Sequence, residues 1–241
     1  MRPAYIGIDL AIAKGKFLPV VVCTWNDGRF VPQPLRQLDL TPPQGMGNAG
    51  SLDQAAVRRF VRDARTYIQA TCERLGLVPT RIGIDAPSTP KRLGLGRRRA
   101  EIALDQAGIR CFTTPSETEF EAILSKVSRH LGSGGREDRI PHANQLWMRV
   151  GFALFAELSP LVPCLEVFPQ ATARVIGSGN THKSQSAAVA AQLAAVAVFT
   201  GWPAQNSAPP LSPGQQDVRD GSAFARRGRR TPPPSGIRLV F

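Results

Sequence analysis

Two short segments of the sequence each end an apolar run with a single carboxylate. Tyr5-Ile6-Gly7-Ile8 leads into Asp9, and Arg81-Ile82-Gly83-Ile84 leads into Asp85. β-branched residues favour strands, and unbroken apolar runs are typical of strands buried on both faces. If the two strands are parallel neighbours, Asp9 and Asp85 lie side by side at the rim of the sheet. Each aspartate could instead simply cap the turn or helix that follows its strand.

A third acidic residue, Glu166, lies inside the apolar segment from Cys164 to Phe168. Charged groups are rarely buried without a partner, so a solvent-facing edge position or a salt bridge to an arginine also explains this residue. If its strand joins the other two, Asp9, Asp85 and Glu166 gather at adjacent strand ends. Such a group suits Mg²⁺ or Mn²⁺, and two such ions can activate a water and stabilise the leaving oxygen of a phosphodiester. These three residues are therefore the predicted catalytic and metal-binding groups.

The other residue types that perform chemistry are not arranged in known patterns. The three histidines form no zinc-binding spacing, and the four cysteines form no CxxC pair. The cysteines are expected to be buried thiols in a reducing compartment, which predicts a cytoplasmic protein. The longest apolar stretch, residues 187–199, is too short to span a bilayer, and Asp9 interrupts the apolar start, so neither a membrane anchor nor a signal peptide is predicted.

The charge balance favours a polyanionic partner. The 241 residues include 30 Lys and Arg against 18 Asp and Glu, for a formal net charge of +12. Nucleic acid, either DNA or RNA, is the expected partner. A basic loop follows Asp85 and leads into a helix, and both helix N-termini and arginines attract phosphate. The predicted phosphate-binding residues are Lys91, Arg92, Arg97, Arg98, Arg99 and, before a later alanine-rich helix, Lys183.

The order of the predicted elements indicates a mixed sheet. Asp27-Gly28 between β-type runs predicts a hairpin, so the first three strands are antiparallel, whereas strands separated by helices are parallel. Helices are expected behind a capping box at Ser51–Gln54, after the basic loop, behind a second capping box at Ser116–Glu119, and over residues 146–158, with a short strand at 109–113. The prediction is an α/β domain over residues 1–202, with a helical insertion at about 115–160. A disordered, basic tail rich in Pro and Arg is expected over residues 203–241.

Three motifs in this order resemble a known family. Ile6–Ala11, Gly83–Pro87 and Glu166–Thr172 together are similar to the uncharacterised DUF429 family of predicted nucleases, which belongs to the ribonuclease H-like superfamily. The similarity spans roughly residues 4–200 and implies metal-dependent cleavage of nucleic acid. Asp217-Val218-Arg219-Asp220 resembles the D-x-x-D-A that opens the last helix of resolvase-type members, which makes Asp217 and Asp220 further candidate metal ligands. The tail departs from that pattern at Gly221, where Ala is usual, and by lacking an apolar helical periodicity beyond it.

Two other functional classes stay open at this level. The basic loop, a basic helix face and the tail could serve a nucleic-acid-binding protein without catalysis, which divalent-dependent cleavage would distinguish from a nuclease. An actin-like phosphotransferase also pairs strand-end aspartates, and ATP binding would favour it. That alternative ranks lower, because a pair of nucleotide-binding domains is hard to fit into 241 residues.

Overall fold

The protein is built around one five-stranded sheet. A computed structural model describes residues 1–177, 191–192 and 194–197. The strands are β1 (Arg2–Asp9), β2 (Val20–Asn26), β3 (Arg29–Pro32), β4 (Leu77–Asp85) and β5 (Cys164–Glu166). Their spatial order is β3-β2-β1-β4-β5; β1, β2 and β3 are antiparallel, whereas β4 is parallel to both β1 and β5. The predicted α/β fold with a mixed sheet is confirmed.

Six α-helices flank or follow the strands within residues 1–177, and residues 191–192 and 194–197 are also helical. They are α1 (Gly47–Gly50), α2 (Gln54–Arg74), α3 (Arg99–Gln106), α4 (Glu117–Gly132), α5 (Ala143–Leu158) and α6 (Pro169–Val175). Two short 3-10 helices lie at Leu35–Gln37 and Glu137–Arg139. The predicted capping box of α4 is confirmed, because the Ser116 hydroxyl accepts from the backbone N–H of Glu119 and the Glu119 carboxylate accepts from that of Ser116.

The hairpin between β2 and β3 forms as its sequence predicts. Asn26 pairs with Arg29, which leaves Asp27 and Gly28 as a two-residue turn. Both turn residues have positive φ, 46° and 76°. Such a turn matches the right-handed twist of the flanking strands, and Asp and Gly adopt positive φ at low cost.

The main core lies on one face of the sheet, against α2 and α5. Alternate residues of β1 and β4 face it, including Ile6, Ile8, Ile82 and Ile84, and all four are almost completely buried. The intervening residues point to the other face, where Tyr5 packs with Val21, Cys23 and Phe30 in a separate cluster. β1 and β2 thus have buried apolar residues on both faces, whereas β4 has the exposed Arg81 on the second face.

Helix α5 connects the main core with a second apolar cluster. Val150, Leu154, Phe155 and Leu158 pack in the main core, whereas Leu146 and Met148 pack with Phe120, Ile123, Val127 and Ile140. The segment predicted as a helical insertion, at about 115–160, comprises α4 and α5. One of its two helices thus contributes directly to the core beneath the sheet.

Two local predictions are wrong. Residues 109–113 form a loop and not a strand. The backbone of this loop forms hydrogen bonds with side chains and not with a neighbouring strand. The Arg97 guanidinium, for example, donates to the carbonyl of Cys111. Helix α2 starts later than Ser51 predicts, because Asp53 is its N-cap and accepts from the N–H of Ala55 at 2.8 Å. The Ser51 hydroxyl instead donates to the carbonyl of Asn48.

The remaining expectations concern cysteines, membranes and the tail. All four cysteines lie in the described residues and are thiols. Cys23 and Cys72 are buried, whereas Cys111 and Cys164 are only half-buried, contrary to expectation.

Within residues 1–177, 191–192 and 194–197, no helix combines the length and apolarity needed to cross a bilayer. Lys183, Asp217, Asp220 and the predicted tail at 203–241 lie outside the described residues.

Helix α5 approaches the end of β4 most closely at Gly151. A Cβ atom placed on Gly151 would lie 2.6 Å from the Cβ of Ala86, the residue after Asp85. The Leu10 side chain and the Pro87 carbonyl lie 3.4 and 3.5 Å from the same point. The distances to Leu10 and Pro87 are ordinary van der Waals contacts, whereas the approach to Ala86 is too close for any side chain at position 151.

Substituting Gly151 with Ala should therefore force α5 away from the turn that carries Asp85. Overpacking of this kind lowers the free energy of unfolding by about 1–3 kcal/mol, which urea denaturation would measure. Gly132→Ala is the matched control, because Gly132 also lies in a helix but has no atom within 4 Å of the added Cβ. That variant should be neutral or slightly stabilised. Equal destabilisation of the two variants would contradict the close approach at Gly151.

Candidate functional site

The end of the β1–β4 pair places two carboxylates next to each other. Asp9 of β1 is the register partner of Asp85 of β4, and paired residues of parallel strands point to the same face of the sheet. Both aspartates are half-buried. The parallel pairing expected from the two matched segments is confirmed, and it brings Asp9 and Asp85 together at the carboxyl ends of the central strands.

Glu166 lies at the same edge of the sheet but is not in register with Asp9 and Asp85. Its register partner in β4 is Ile84, one residue before Asp85, so its side chain leaves the sheet on the opposite face from Asp9 and Asp85. Across the described residues, no group of three or more His, Cys, Asp or Glu side chains forms a cluster that could hold a metal ion. The expected convergence of three carboxylates is thus reduced here to one pair, Asp9 and Asp85, with Glu166 apart from it.

The Glu166 carboxylate accepts hydrogen bonds from Arg98 and from Ser88 in the turn after β4. The Arg98 guanidinium donates to both carboxylate oxygens, with 2.8 Å between Nη1 and Oε1 and a second bond from Nη2 to Oε2. The backbone N–H and hydroxyl of Ser88 also donate to Oε2, at 3.1 and 3.2 Å. Of the two interpretations of Glu166, the salt bridge is confirmed. The pair ties β5 to the start of α3 and to the β4 turn.

A second acidic side chain, Glu101, fixes the loop around this pair. It is buried in the first turn of α3, where Oε2 accepts from the backbone N–H of Arg98 at 3.2 Å. Its other oxygen accepts from the backbone N–H of Thr114 at 2.8 Å. Glu101 therefore joins the N-terminus of α3 to the loop at 109–115. A carboxylate is also favourable at this position because it complements the positive end of the helix dipole.

The predicted phosphate-binding residues separate into two groups. Lys91 is buried and pairs with Glu119 at 3.0 Å, and Arg97 pairs with Asp105 and donates to Cys111. Together with Arg98, these cations serve contacts within the chain. Arg92 and Arg99 are exposed. Of the described basic-loop residues, these two have the exposure that a contact with an external phosphate requires.

The Lys91–Glu119 pair also changes the acidity of its carboxyl group. The backbone N–H of Ser116, and then Lys91, hold the pKa of Glu119 below its ordinary value. The group is largely exposed, so solvent screens much of this stabilisation. Because the folded-state pKa is depressed, the contribution is present near neutral pH and is lost as the pH falls through that lowered pKa.

Two cavities meet at Asp85. The first, of about 440 Å³, is lined by both strand-end acids, Asp85 and Glu166, by Arg98 and Arg110, and by a largely apolar wall from α3, α5 and the loop at 109–115. The second, of about 470 Å³, lies beside Leu10, Ile12, Lys14 and Asn48. Asp85 and Trp147 line both cavities. The carboxyl edge of the sheet is thus the concave part of this surface, where open α/β sheets bind ligands.

The thiol in the first cavity does not resemble an activated nucleophile. Burial raises the pKa of the Cys111 thiol above its ordinary value, although the nearby Arg97 opposes the shift. A thiol with a raised pKa stays protonated at neutral pH, and only the thiolate is an effective nucleophile. The chemistry of this site therefore falls to its carboxylates and arginines.

Sequence reasoning missed four residues that build the site. Ser88 and Glu101 hold the Glu166–Arg98 region, and Arg110 and Phe112 line the first cavity. The spacing of Arg98 and Glu101 carries half of a capping-box signal, because a Glu three residues after a helix N-cap often reaches back to its N–H. The loop residues carry no such signal, since the chain returns to the cavity only through tertiary packing.

A double-mutant cycle should measure the Arg98–Glu166 pair. The two side chains are 15% and 23% exposed and share two hydrogen bonds, so Arg98→Met and Glu166→Gln should show a coupling free energy of about 1–3 kcal/mol in urea unfolding. The Arg65–Glu157 pair, 41% and 24% exposed with one contact at 3.2 Å, should couple by less than about 1 kcal/mol. Similar coupling in both cycles would show that the Arg98–Glu166 pair is an ordinary surface contact.

Comparison of the chain with protein-family models, with curated proteins and with solved structures finds no match.

Proposed function

We propose that the protein is a metal-dependent nuclease of the ribonuclease H-like superfamily, related to the DUF429 family, that hydrolyses phosphodiester bonds. The observation that carries this proposal is the register pairing of Asp9 with Asp85 at the carboxyl ends of adjacent parallel strands. The antiparallel meander β1–β3, joined to parallel β4 and β5, is the sheet that the proposal expects. The net charge of +12 agrees with a nucleic-acid substrate.

The donor set at the strand ends fits a hard divalent cation. Asp9 and Asp85 would hold Mg²⁺ or Mn²⁺, because adjacent carboxylates repel each other and oxygen ligands suit these ions. When bound, the ion supplies a Lewis acid for a phosphoryl oxygen and lowers the pKa of its water. Lys14 lines the neighbouring cavity together with Asp85 and can contact the anionic substrate there. Glu166 and Arg98 position the β4 turn beside the pair.

One observation favours the second candidate, a nucleic-acid-binding protein of the same fold without catalysis. The Glu166 carboxylate, a predicted ligand, is neutralised by Arg98 and bonded to Ser88. A third ligand is then needed from elsewhere, and the predicted Asp217 and Asp220 lie outside the described residues. Divalent-dependent cleavage decides between the two candidates. We also propose a cytoplasmic location, because the four cysteines are free thiols, as expected in a reducing compartment.

Asp9→Asn should abolish cleavage of DNA or RNA in Mg²⁺ or Mn²⁺, because it removes one of the two paired carboxylates. The assay is a nuclease test on single-stranded and duplex forms of both polymers, beside metal titration by calorimetry. Asp27→Asn is the matched control: Asp27 is an exposed hairpin residue with positive φ, which Asn also tolerates. That variant should retain both metal binding and cleavage.

The same titration tests the other predicted ligands. Asp217→Asn and Asp220→Asn should change metal affinity little if the strand-end pair is the centre of the site. A loss equal to that of Asp9→Asn would show that the C-terminal acids complete it. Metal-independent cleavage, or a wild-type protein without cleavage of any form, would reject the nuclease proposal in favour of binding alone.

Affinity for nucleic acid should fall steeply with added salt, since bound cations release counterions from the phosphates. Arg99→Gln, at an exposed position at the start of α3, should lower the slope of log K against log salt by about 0.7 for a single strand. Arg36→Gln, equally exposed but on the loop after β3, should leave the slope unchanged. A salt-independent affinity, or equal effects of the two variants, would show that the basic loop is not the docking surface.

A further inference from the structure

The cavity beside Asp85 and Glu166 is mostly apolar, although metal-dependent cleavage of a phosphodiester requires only polar groups. Most of its wall is apolar, and its largest members are Leu104, Phe112, Trp147, Met148, Val167 and Phe168. Its volume of about 440 Å³ falls within the range of small-ligand sites. The charged residues that line it are three acids, Asp85, Glu101 and Glu166, and two arginines, Arg98 and Arg110. Such an apolar cavity with charged residues at one side indicates a ligand with a flat or apolar body and a charged group.

Large apolar side chains are exposed on the segments that lead to this cavity, and one of them, Phe112, lines it. Phe112 is 58% exposed although it lines the cavity, and Ile102 of α3 is 43% exposed. Leu93 and Leu95 of the basic loop, which leads into the same helix, are 81% and 49% exposed. Of these four residues Phe112 is the one that lines the cavity, and a large exposed aromatic side chain in a concave site is typical of a binding surface.

The charges around the rim specify the class of ligand. Arg110 lines the cavity and is exposed, and the exposed Arg99 starts the helix that forms one wall. Arginine next to an exposed aromatic ring is the combination that binds phosphate and base together, because bases stack on aromatic faces and guanidinium groups contact the backbone. An apolar ligand without an anionic group would form no ion pair with Arg110 or Arg99.

We propose that the cavity lined by Phe112, Trp147 and Arg110 receives one unpaired nucleobase adjacent to the phosphate at the strand-end carboxylates. This inference rests on the proposed function, since it takes Asp9 and Asp85 as the site of cleavage. A base that enters this cavity has left the stack of a duplex, so the substrate class is single-stranded nucleic acid or a duplex with an unpaired nucleotide. Phe112 at the rim stacks on the base, while Arg110 contacts its phosphate.

The test is a binding measurement that does not depend on cleavage. Full-length protein is titrated, in chelator and without metal, against a short fluorescent single strand, the same strand in a duplex, and a strand of the same length that is abasic at every position. The single strand should bind about tenfold more tightly than the duplex. Phe112→Ala should weaken single-strand binding by about tenfold, the usual contribution of one stacked base.

Phe17→Ala is the matched control, because Phe17 is 52% exposed, close to the 58% of Phe112, and does not line either cavity. It should bind like the wild type. With the abasic strand, Phe112→Ala and wild type should bind equally, since the stacking partner is absent. An equal effect of the two Phe variants, a Phe112 effect that persists with the abasic strand, or duplex binding as tight as single-strand binding would overturn the proposal.

The two proposals fail separately. Base-dependent binding without any cleavage in Mg²⁺ or Mn²⁺ would reject the nuclease and leave the base-binding cavity in place. Cleavage that is lost in Asp9→Asn, with binding indifferent to Phe112, would support the nuclease and reject the cavity as its base-binding site. No measurable binding of the single strand would also overturn the base-binding proposal.

Discussion

The parallel pairing of β1 with β4 is the constraint on which the site depends. Because side chains alternate across a strand, a slip of one residue would exchange Ile84 and Asp85 between the two faces of the sheet. The main core excludes that slip, since Ile6, Ile8, Ile82 and Ile84 are all almost fully buried on one face. Burial of these four isoleucines therefore fixes the register that places Asp9 beside Asp85.

The Glu166 carboxylate connects the rest of the site to this pair. It accepts from Arg98 at the start of α3 and from Ser88 in the turn after β4, so one side chain joins three segments that are distant in sequence. Glu101 extends the connection to the loop at 109–115 through Thr114. Breaking one member of a partly buried network leaves its partners unsatisfied, which costs more than the bond itself contributes. The carboxyl edge is accordingly a single connected network and not a set of separate loops.

The sequence predicts those parts of the structure that local patterns determine. Two matched apolar runs indicate β1 and β4, Asp27-Gly28 indicates the hairpin, and Ser116 with Glu119 indicates the start of α4; all are confirmed. The predicted strand at 109–113 is wrong because Arg97 and Glu101, not a neighbouring strand, bind the backbone of that loop. The position of Glu166 relative to Asp85 depends on a one-residue register offset. Neither residue type nor spacing carries that offset, so the convergence of three carboxylates could not be checked from the sequence.

The basic residues near the carboxyl edge of the sheet fall into two groups, one paired within the chain and one exposed. Lys91, Arg97 and Arg98 each neutralise an acid within the chain, so they contribute order and little external field. Arg92, Arg99 and Arg110 are exposed, and Arg110 also lines the first cavity. Arg98 and Arg99 are adjacent in sequence but have different environments. At the start of α3, Arg98 contacts Glu166, whereas Arg99 is exposed to solvent. A count of basic residues cannot distinguish them, whereas their partners in the folded chain do.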